Sequence, residues 1–420
     1  MRSRTNMIPP NLTEEGENLS EPNSAMLEGV LLLGVALLLF LFGLAILYST
    51  SSTSSGAALF LKQTVWGIAG LGLGGICVLI GHRSLAKISP ILLILLVLML
   101  FLPVTVMKRA VKGAYRWISI GPVRIQPSEF AKVVLVLFCA DFISRRTRAM
   151  ETAPFKKIVL PLTGVIAILA LMVMWGRDLG TTVLLCALFF ALLWVGGAPA
   201  WQVLPLPLLG ITGFLFIHEK WVQDLLCKVG ILNSYRIVRL TTYTNPEPYA
   251  QKGGFQLWHS QLALGSGNWT GLGLTDSRFK WQYLPEAHTD FILAIAGEEL
   301  GFVIMVMVMV FYLLLTLFGL VIACKARTRL GRIVAFGMSA FIGLQAFINI
   351  GVVCGALPTK GMSAPLISYG GSNLVTCMVA IGLIFSVALD TVKPDYAEKI
   401  HERVRDFFRG LRRNREGAKS

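Results

Sequence analysis

Charge is what this chain has least of. Only 15% of its 420 residues are Asp, Glu, Lys or Arg, against roughly a quarter in soluble domains. Hydrophobic residues make up 55%, and the mean hydropathy is +0.68. An ordinary soluble domain is excluded. The seven cysteines include no CxxC pair, and all but Cys227 fall within or at the edge of apolar runs. Neither a disulfide framework nor a thiolate metal site is expected. The glycines of the run 265–273 are not spaced as a phosphate-cradling loop after a strand, which removes a nucleotide-binding fold. The first apolar run is too long for the core of a signal peptide and has no small-residue cleavage pattern after it, so it reads as a retained span.

What is present is a succession of apolar runs, each near the roughly 20 residues needed to cross a hydrocarbon core. They fall at 26–48, 60–81, 88–107, 127–143, 158–175, 181–197, 201–217, 291–324, 333–355 and 374–389. The fold class that follows is an all-α polytopic membrane protein with about ten transmembrane helices.

Lys and Arg set the orientation. With the N-terminus cytoplasmic, the inward loops and tail carry more than half of the 38 basic residues. An even number of spans then places both termini in the cytoplasm. The net charge of +15 therefore speaks of anionic lipid at the membrane surface, not of nucleic acid. Two outward connections depart from this bias. The third-to-fourth holds Lys108, Arg109, Lys112, Arg116 and Arg124. The seventh-to-eighth, a large periplasmic or extracellular loop over residues 218–290, holds Arg236 and Arg239 among others. Cations on the translocated side suit an anionic ligand at the outer interface.

Three regions follow. Residues 1–25 read as a disordered cytoplasmic tail and 26–393 as the membrane domain. Residues 394–420 form a basic tail, with Tyr396, Ile400, Val404, Phe407, Phe408 and Leu411 on one helical stripe. Such a stripe opposite arginines reads as an interfacial helix on anionic lipid. In the outer loop, 256–264 is short and amphipathic, and the Gly-rich run after it lets the backbone fold tightly.

Three outward clusters carry candidate chemistry. The first is Lys112-Gly-Ala-Tyr-Arg-Trp, then Arg124-Ile-Gln-Pro-Ser-Glu-Phe-Ala-Lys132. Arg116 and Arg124 present planar forks suited to phosphate. Ser128 is placed to cap the helix beginning at Pro127, and Glu129 and Lys132 are spaced to pair. The second is Leu284-Pro-Glu-Ala-His-Thr-Asp-Phe291, leading directly into an apolar span. A carboxylate at the mouth of a membrane helix is a functional candidate, while Thr289 or Asp290 would equally serve as a cap. Glu286 and His288 add ionisable groups beside it. The third is the broken Gly/Pro-rich segment 355–372, whose only charge is Lys360. Irregular backbone at membrane depth belongs where it is buried or lines a wet cavity.

These motifs, in this order, resemble the SEDS family (shape, elongation, division and sporulation). Asp178-Leu-Gly-Thr181, Ala-Gly-Glu-Glu-Leu-Gly and Pro365-Leu-Ile-Ser-Tyr-Gly-Gly-Ser372 match it as well. Thr359-Lys-Gly and the Glu-Ala before His288 are closer to its division branch than to its elongation branch. Gly176-Arg177 departs from the Gln-Pro usual before Asp-Leu-Gly-Thr.

The resemblance implies peptidoglycan glycosyltransferase activity on lipid II, with inversion and an undecaprenyl-pyrophosphate leaving group. Asp290 carries over as the base that takes the acceptor hydroxyl's proton. Lys112, Arg116, Arg124, Arg236, Arg239 and Lys360 are candidates to hold the pyrophosphate, supported by Glu129, Lys132, Glu286, His288 and Ser368. No Asp-x-Asp signature marks a metal, and a divalent Mg or Mn ion stays open as a cofactor. The implied partners are a class B penicillin-binding protein (an FtsI-like transpeptidase) and other division membrane proteins, at the inner membrane of the septum. A lipid II flippase, using Glu298 and Glu299 as a charged path, and a non-catalytic division scaffold are the competing expectations.

Overall fold

The computed structural model describes residues 22–51, 58–107, 115–121, 123–146, 155–205, 208, 246–249, 254–281, 284–285, 287–358, 361–394, 396 and 399. Helices α1 (Pro22–Ser51), α2 (Ala58–Ile80), α3 (His82–Lys87) and α4 (Ser89–Leu102) come first, α4 continuing through Pro103–Met107 as a wider turn. A hairpin of β1 (Ile118–Ile120) and β2 (Val123–Ile125) follows. Next come α5 (Pro127–Ser144), α6 (Leu160–Trp175), α7 (Leu179–Val195), α8 (Ala200–Val203) and α9 (Phe255–Ser266). The chain closes with α10 (Ile292–Lys325), α11 (Arg329–Val353) and α12 (Gly371–Val392).

Seven of these helices are long and apolar enough to span a membrane, and the apolar α7 is shorter. Helix α5 has the length but carries Glu129, Lys132 and Asp141. Without water in the bilayer core, each span must satisfy its own backbone, which is why apolar runs here fold as helices. Prolines pre-set the first turns of α4, α5 and α6. Asp178 caps α7 by accepting from the Thr181 amide, and Thr328 caps α11 by accepting from Gly331. The sequence-expected span over 201–217 lies mostly outside the described residues, as do most of both tails and most of residues 218–253. Helix α1 begins at Pro22, within the stretch read as tail.

Helix α12 is the axis of the bundle: 78% of its most apolar stretch is buried, against 22% for α2. Leucines and isoleucines of α1, α2 and α4 are left facing outward, as lipid-facing surface requires.

The long-range polar contacts sort to two ends. At one end, Lys325 meets Glu28, Arg83 meets Asp390, Arg329 donates to the Gly196 carbonyl and Tyr396 to that of Val78. At the other lie the end of α1, the starts of α5 and α7, the hairpin, the α11–α12 connection and described residues of 254–290.

Helix α10 is broken. Gly301 has φ +78°, and the Glu298 and Glu299 carbonyls accept from the amides of Leu272 and Gly273 instead of from their own helix. Beyond the break, the Phe302 amide donates to the Asn268 carbonyl and that of Val303 to Trp269. The Gly-rich run thus lies against the helix and satisfies it. A side chain at Gly271, at φ +82°, would collide with the Glu299 carbonyl, so only glycine fits.

Candidate active site

Asp290 ends a non-helical turn just before α10. The first helical residue is Ile292, with Phe291 at the cap position, so neither Thr289 nor Asp290 stands where a cap would. Three successive carbonyls of this turn are each held by a different donor. The Tyr369 amide donates to the His288 carbonyl at 3.0 Å. The Ser368 hydroxyl donates to Thr289 at 2.6 Å, and the Asn349 amide to Asp290 at 2.9 Å. A β-carbon at Gly361 would lie 2.7 Å from Asp290 Oδ2, so the carboxylate rests over bare backbone.

The segment opposite Asp290 is itself anchored. Ser368 Oγ accepts from the Ala364 amide at 2.8 Å, and its carbonyl takes the Gln63 side chain of α2 at 3.0 Å. Gln63 Oε1 accepts in turn from the Gly370 amide. Tyr369 sits beside His288, ring centroids 6.0 Å apart. Burial pushes the Tyr369 phenol above its usual range, and the positive charge of Arg124 acts against that. Arg124, on β2, is therefore within electrostatic reach of this segment.

A second network fixes the hairpin. The Asp178 carboxylate accepts from Gln126 Nε2 at 3.0 Å, Ser128 Oγ at 3.1 Å and Thr181 Oγ1 at 3.0 Å, and stands 3.7 Å from Arg116 Nη1. The Gln126 amide donates to Ser372 Oγ at the start of α12, tying this network to the segment facing Asp290. Ser128 does not cap α5 as expected; Asp178 takes its hydroxyl. Arg177, the residue that departs from the family pattern, lies over the Tyr115 ring at 5.7 Å with φ +65°. Beside it a narrow cleft, lined by Tyr115, Arg116, Ser128, Met172, Gly176 and Asp178, has a volume of about 10 Å³, room for about one water.

Deeper in the bundle, Lys132 pairs with Glu129 at 2.7 Å, as their spacing suggested, and also donates to Gln345 Oε1 at 2.7 Å. It lies over the Phe341 ring and is 1% exposed. It is thus bound within the helices and not offered to a ligand. Glu298 and Glu299 are fully buried. Glu298 accepts from Ser277 and from the Arg278 amide, and Glu299 from Ser49 and Lys280. Both hold the segment 271–280 to α10 and α1.

Of the expected residues, Asp290, His288 and Ser368 come together, with Arg124 nearby. Arg116 joins them through the Asp178 network. Lys112, Arg236, Arg239, Glu286 and Lys360 lie outside the described residues. The sequence reading gave no weight to Gln345 and Asn349, two amides four residues apart in an apolar run, nor to Gln63 and the acceptor role of Asp178. Among the described residues no three His, Cys, Asp or Glu side chains gather as a metal site.

The fold and this site define a polytopic membrane protein whose polar machinery gathers at one mouth of the bundle. The chain belongs to the cell cycle protein family of FtsW, RodA and SpoVE, the SEDS family, whose sequence profile matches residues 26–393. It is a multi-pass inner-membrane protein. It is 38% identical to the "Probable peptidoglycan glycosyltransferase FtsW" of Idiomarina loihiensis over 70% of this chain and 69% of that one. The protein of the same name from Geobacter metallireducens is 33% identical over 86% and 93%. Among solved structures, one described as showing coordination of polymerization and crosslinking by a peptidoglycan synthase complex superposes with a TM-score of 0.69. It is 25% identical, over 86% of this chain and 98% of that one. The rod shape determining protein RodA of Thermus thermophilus gives 0.61 at 24% identity over 86% and 96%, a likeness of fold. The division branch expected from the motifs agrees with the relatives named FtsW.

Proposed function

We propose that this protein is a peptidoglycan glycosyltransferase that polymerises lipid II on the outer face of the inner membrane during septal wall synthesis. The observation that carries the reading is the placement of Asp290: a carboxylate at the bundle mouth, fixed through three backbone carbonyls and over Gly361, with Arg124 in electrostatic reach of the adjoining Tyr369. In this reading the chain crosses the membrane about ten times, both termini are cytoplasmic, and residues 218–290 form the large outer loop.

Asp290 accepts the proton of the acceptor sugar's hydroxyl as that oxygen attacks the donor's anomeric carbon. The undecaprenyl pyrophosphate leaves from the opposite face, so the configuration inverts. A pyrophosphate leaving group needs its charge neutralised more than it needs a proton. Arg116 and Arg124 supply that charge, joined by Lys112, Lys360, Arg236 and Arg239. The pairing of Arg116 with Asp178 keeps its fork oriented while the site is empty. An FtsI-like class B penicillin-binding protein is the natural partner, because strands polymerised at this face need crosslinking there. Other division membrane proteins join it at the septum, and the basic tail 394–420 rests on anionic lipid.

The flippase alternative needs a charged path through the bilayer. Glu298 and Glu299, which suggested one, are occupied in holding the outer segment, which favours the enzyme. The test is Asp290→Asn in purified protein supplied with lipid II. Loss of a general base costs on the order of 10²–10⁴-fold, whereas a structural role would survive the isosteric amide. Wild-type polymerisation by this variant would end the proposal for Asp290.

A further inference from the structure

We infer that Asn349 is a positioning residue for Asp290, an inference that rests on reading Asp290 as the base. Asn349 lies on α11, well inside an apolar span, and is 1% exposed. Its Nδ2 donates to two carbonyls from separate segments: that of Asp290 at 2.9 Å and that of Met362 at 2.6 Å. Met362 adjoins Gly361, the residue over which the Asp290 carboxylate rests. One amide group therefore sets the spacing between the backbone that carries the carboxylate and the backbone it packs on.

Two acceptors at the same nitrogen fix the orientation of the amide. Its other end, Oδ1, is then buried with no hydrogen-bond partner. A buried acceptor left without a donor is a cost that an apolar residue would avoid. The residue that best explains the cost is one required for its two donors. One turn earlier on the same helix, Gln345 does the same for the next part of the segment. Its Nε2 donates to the Ser363 carbonyl at 2.8 Å while Oε1 takes Lys132. The two amides make a ladder along α11 that grips residues 362–363, and Asn349 is the rung that also reaches Asp290. Two further ties on the turn, from Ser368 and Tyr369, come from the gripped segment itself. Without Asn349 the turn loses its direct tie to α11, and the spacing between Asp290 and the backbone beside Gly361 loses the amide that sets it.

The experiment is steady-state polymerisation of lipid II by the full-length protein carrying Asn349→Ala, Asn349→Ser or Asp290→Asn, each with its thermal midpoint measured. Misplacing a catalytic group by about an ångström costs on the order of a hundredfold. Asn349→Ala is expected to lower kcat by roughly tenfold to a hundredfold, with KM for lipid II unchanged. Asn349→Ser, which keeps one donor, should recover part of kcat, and it serves alone if the alanine variant does not fold. A folded Asn349→Ala with wild-type kcat, beside an inactive Asp290→Asn, overturns this inference and leaves the base standing. So does a loss that falls on KM alone, or a serine variant no better than alanine. A fully active Asp290→Asn removes the base and the inference together.

Discussion

Arg116 does not stand free at the bundle mouth: its guanidinium lies 3.7 Å from the carboxylate of Asp178, which also takes Gln126, Ser128 and Thr181. Asp178 thus holds together the hairpin, the start of α5 and the start of α7. A ligand bearing a stronger double charge competes for Arg116 with a carboxylate that has other donors to fall back on.

Replacing Arg116 or Arg124 by Ala should therefore weaken the use of lipid II without unfolding the protein. A charge-assisted contact contributes about 1.5–3 kcal/mol, so losses of roughly tenfold or more in kcat/KM are expected. Arg116→Lys should restore only part, because the planar fork is lost. Initial rates against lipid II concentration decide it, and wild-type kinetics in both alanine variants would remove the pyrophosphate assignment.

The Lys132–Glu129 pair makes a different forecast, one of stability. Lys132→Met leaves a buried carboxylate without its cation and Gln345 without its donor. Breaking a buried pair from one side costs on the order of 3–5 kcal/mol. The double variant Lys132→Met, Glu129→Gln should recover most of that, since no charge is then stranded. Thermal unfolding in detergent reads both, and a double variant no more stable than the single would show that the charge is not what matters.

At the break in α10, Gly271→Ala places a β-carbon against the Glu299 carbonyl at a backbone angle that disfavours any side chain. The stitch between residues 268–273 and 298–303 should open. Faster proteolysis within 267–281 and a lower thermal midpoint are expected, whereas Gly265→Ala, where nothing lies within 4 Å, should change neither. Equal protease resistance in all three proteins would contradict the stitched geometry.

How much of this was legible in the sequence depends on the range of the interaction. The spans are written in local composition, so apolar runs disclose them. The pairing of Glu129 with Lys132 is likewise local, three residues apart. The hairpin at 118–125 escaped notice because its strands are three residues each. The break in α10 is hidden because the Gly-rich segment that repairs it lies about 30 residues upstream. Glu298 and Glu299 were rightly marked as unusual, but their partners Ser49, Ser277 and Lys280 are set by tertiary packing alone. For Ser128 capping is the local option, but Asp178, 50 residues away, takes its hydroxyl instead. Asp290 was singled out by its place at the mouth of a span, yet nothing local announces the three donors that hold its turn.

The last prediction concerns pH and the opposite end of the bundle. His82, the first residue of α3, is buried, with Nδ1 3.0 Å from the Ser386 hydroxyl and Nε2 without a partner. Burial lowers its pKa from the ordinary 6.5 to about 4; the nearby Asp390 acts to raise it and Arg83 to lower it further. Arg83 and Asp390 are themselves paired at 2.8 Å, which leaves little of the carboxylate's charge for the imidazole. The folded state thus prefers neutral His82, while the unfolded chain takes up a proton near pH 6.5. Stability is full above 6.5 and falls as the pH drops from there toward about 4, because the unfolded state binds the extra proton. The thermal midpoint of the wild-type protein should therefore fall more over this interval than that of His82→Gln, which cannot titrate. Carboxylates contribute to both proteins equally, so the difference between the two curves isolates His82. Parallel curves would mean that His82 does not stay neutral in the folded protein, and the tie between α3 and α12 through Ser386 would need another explanation.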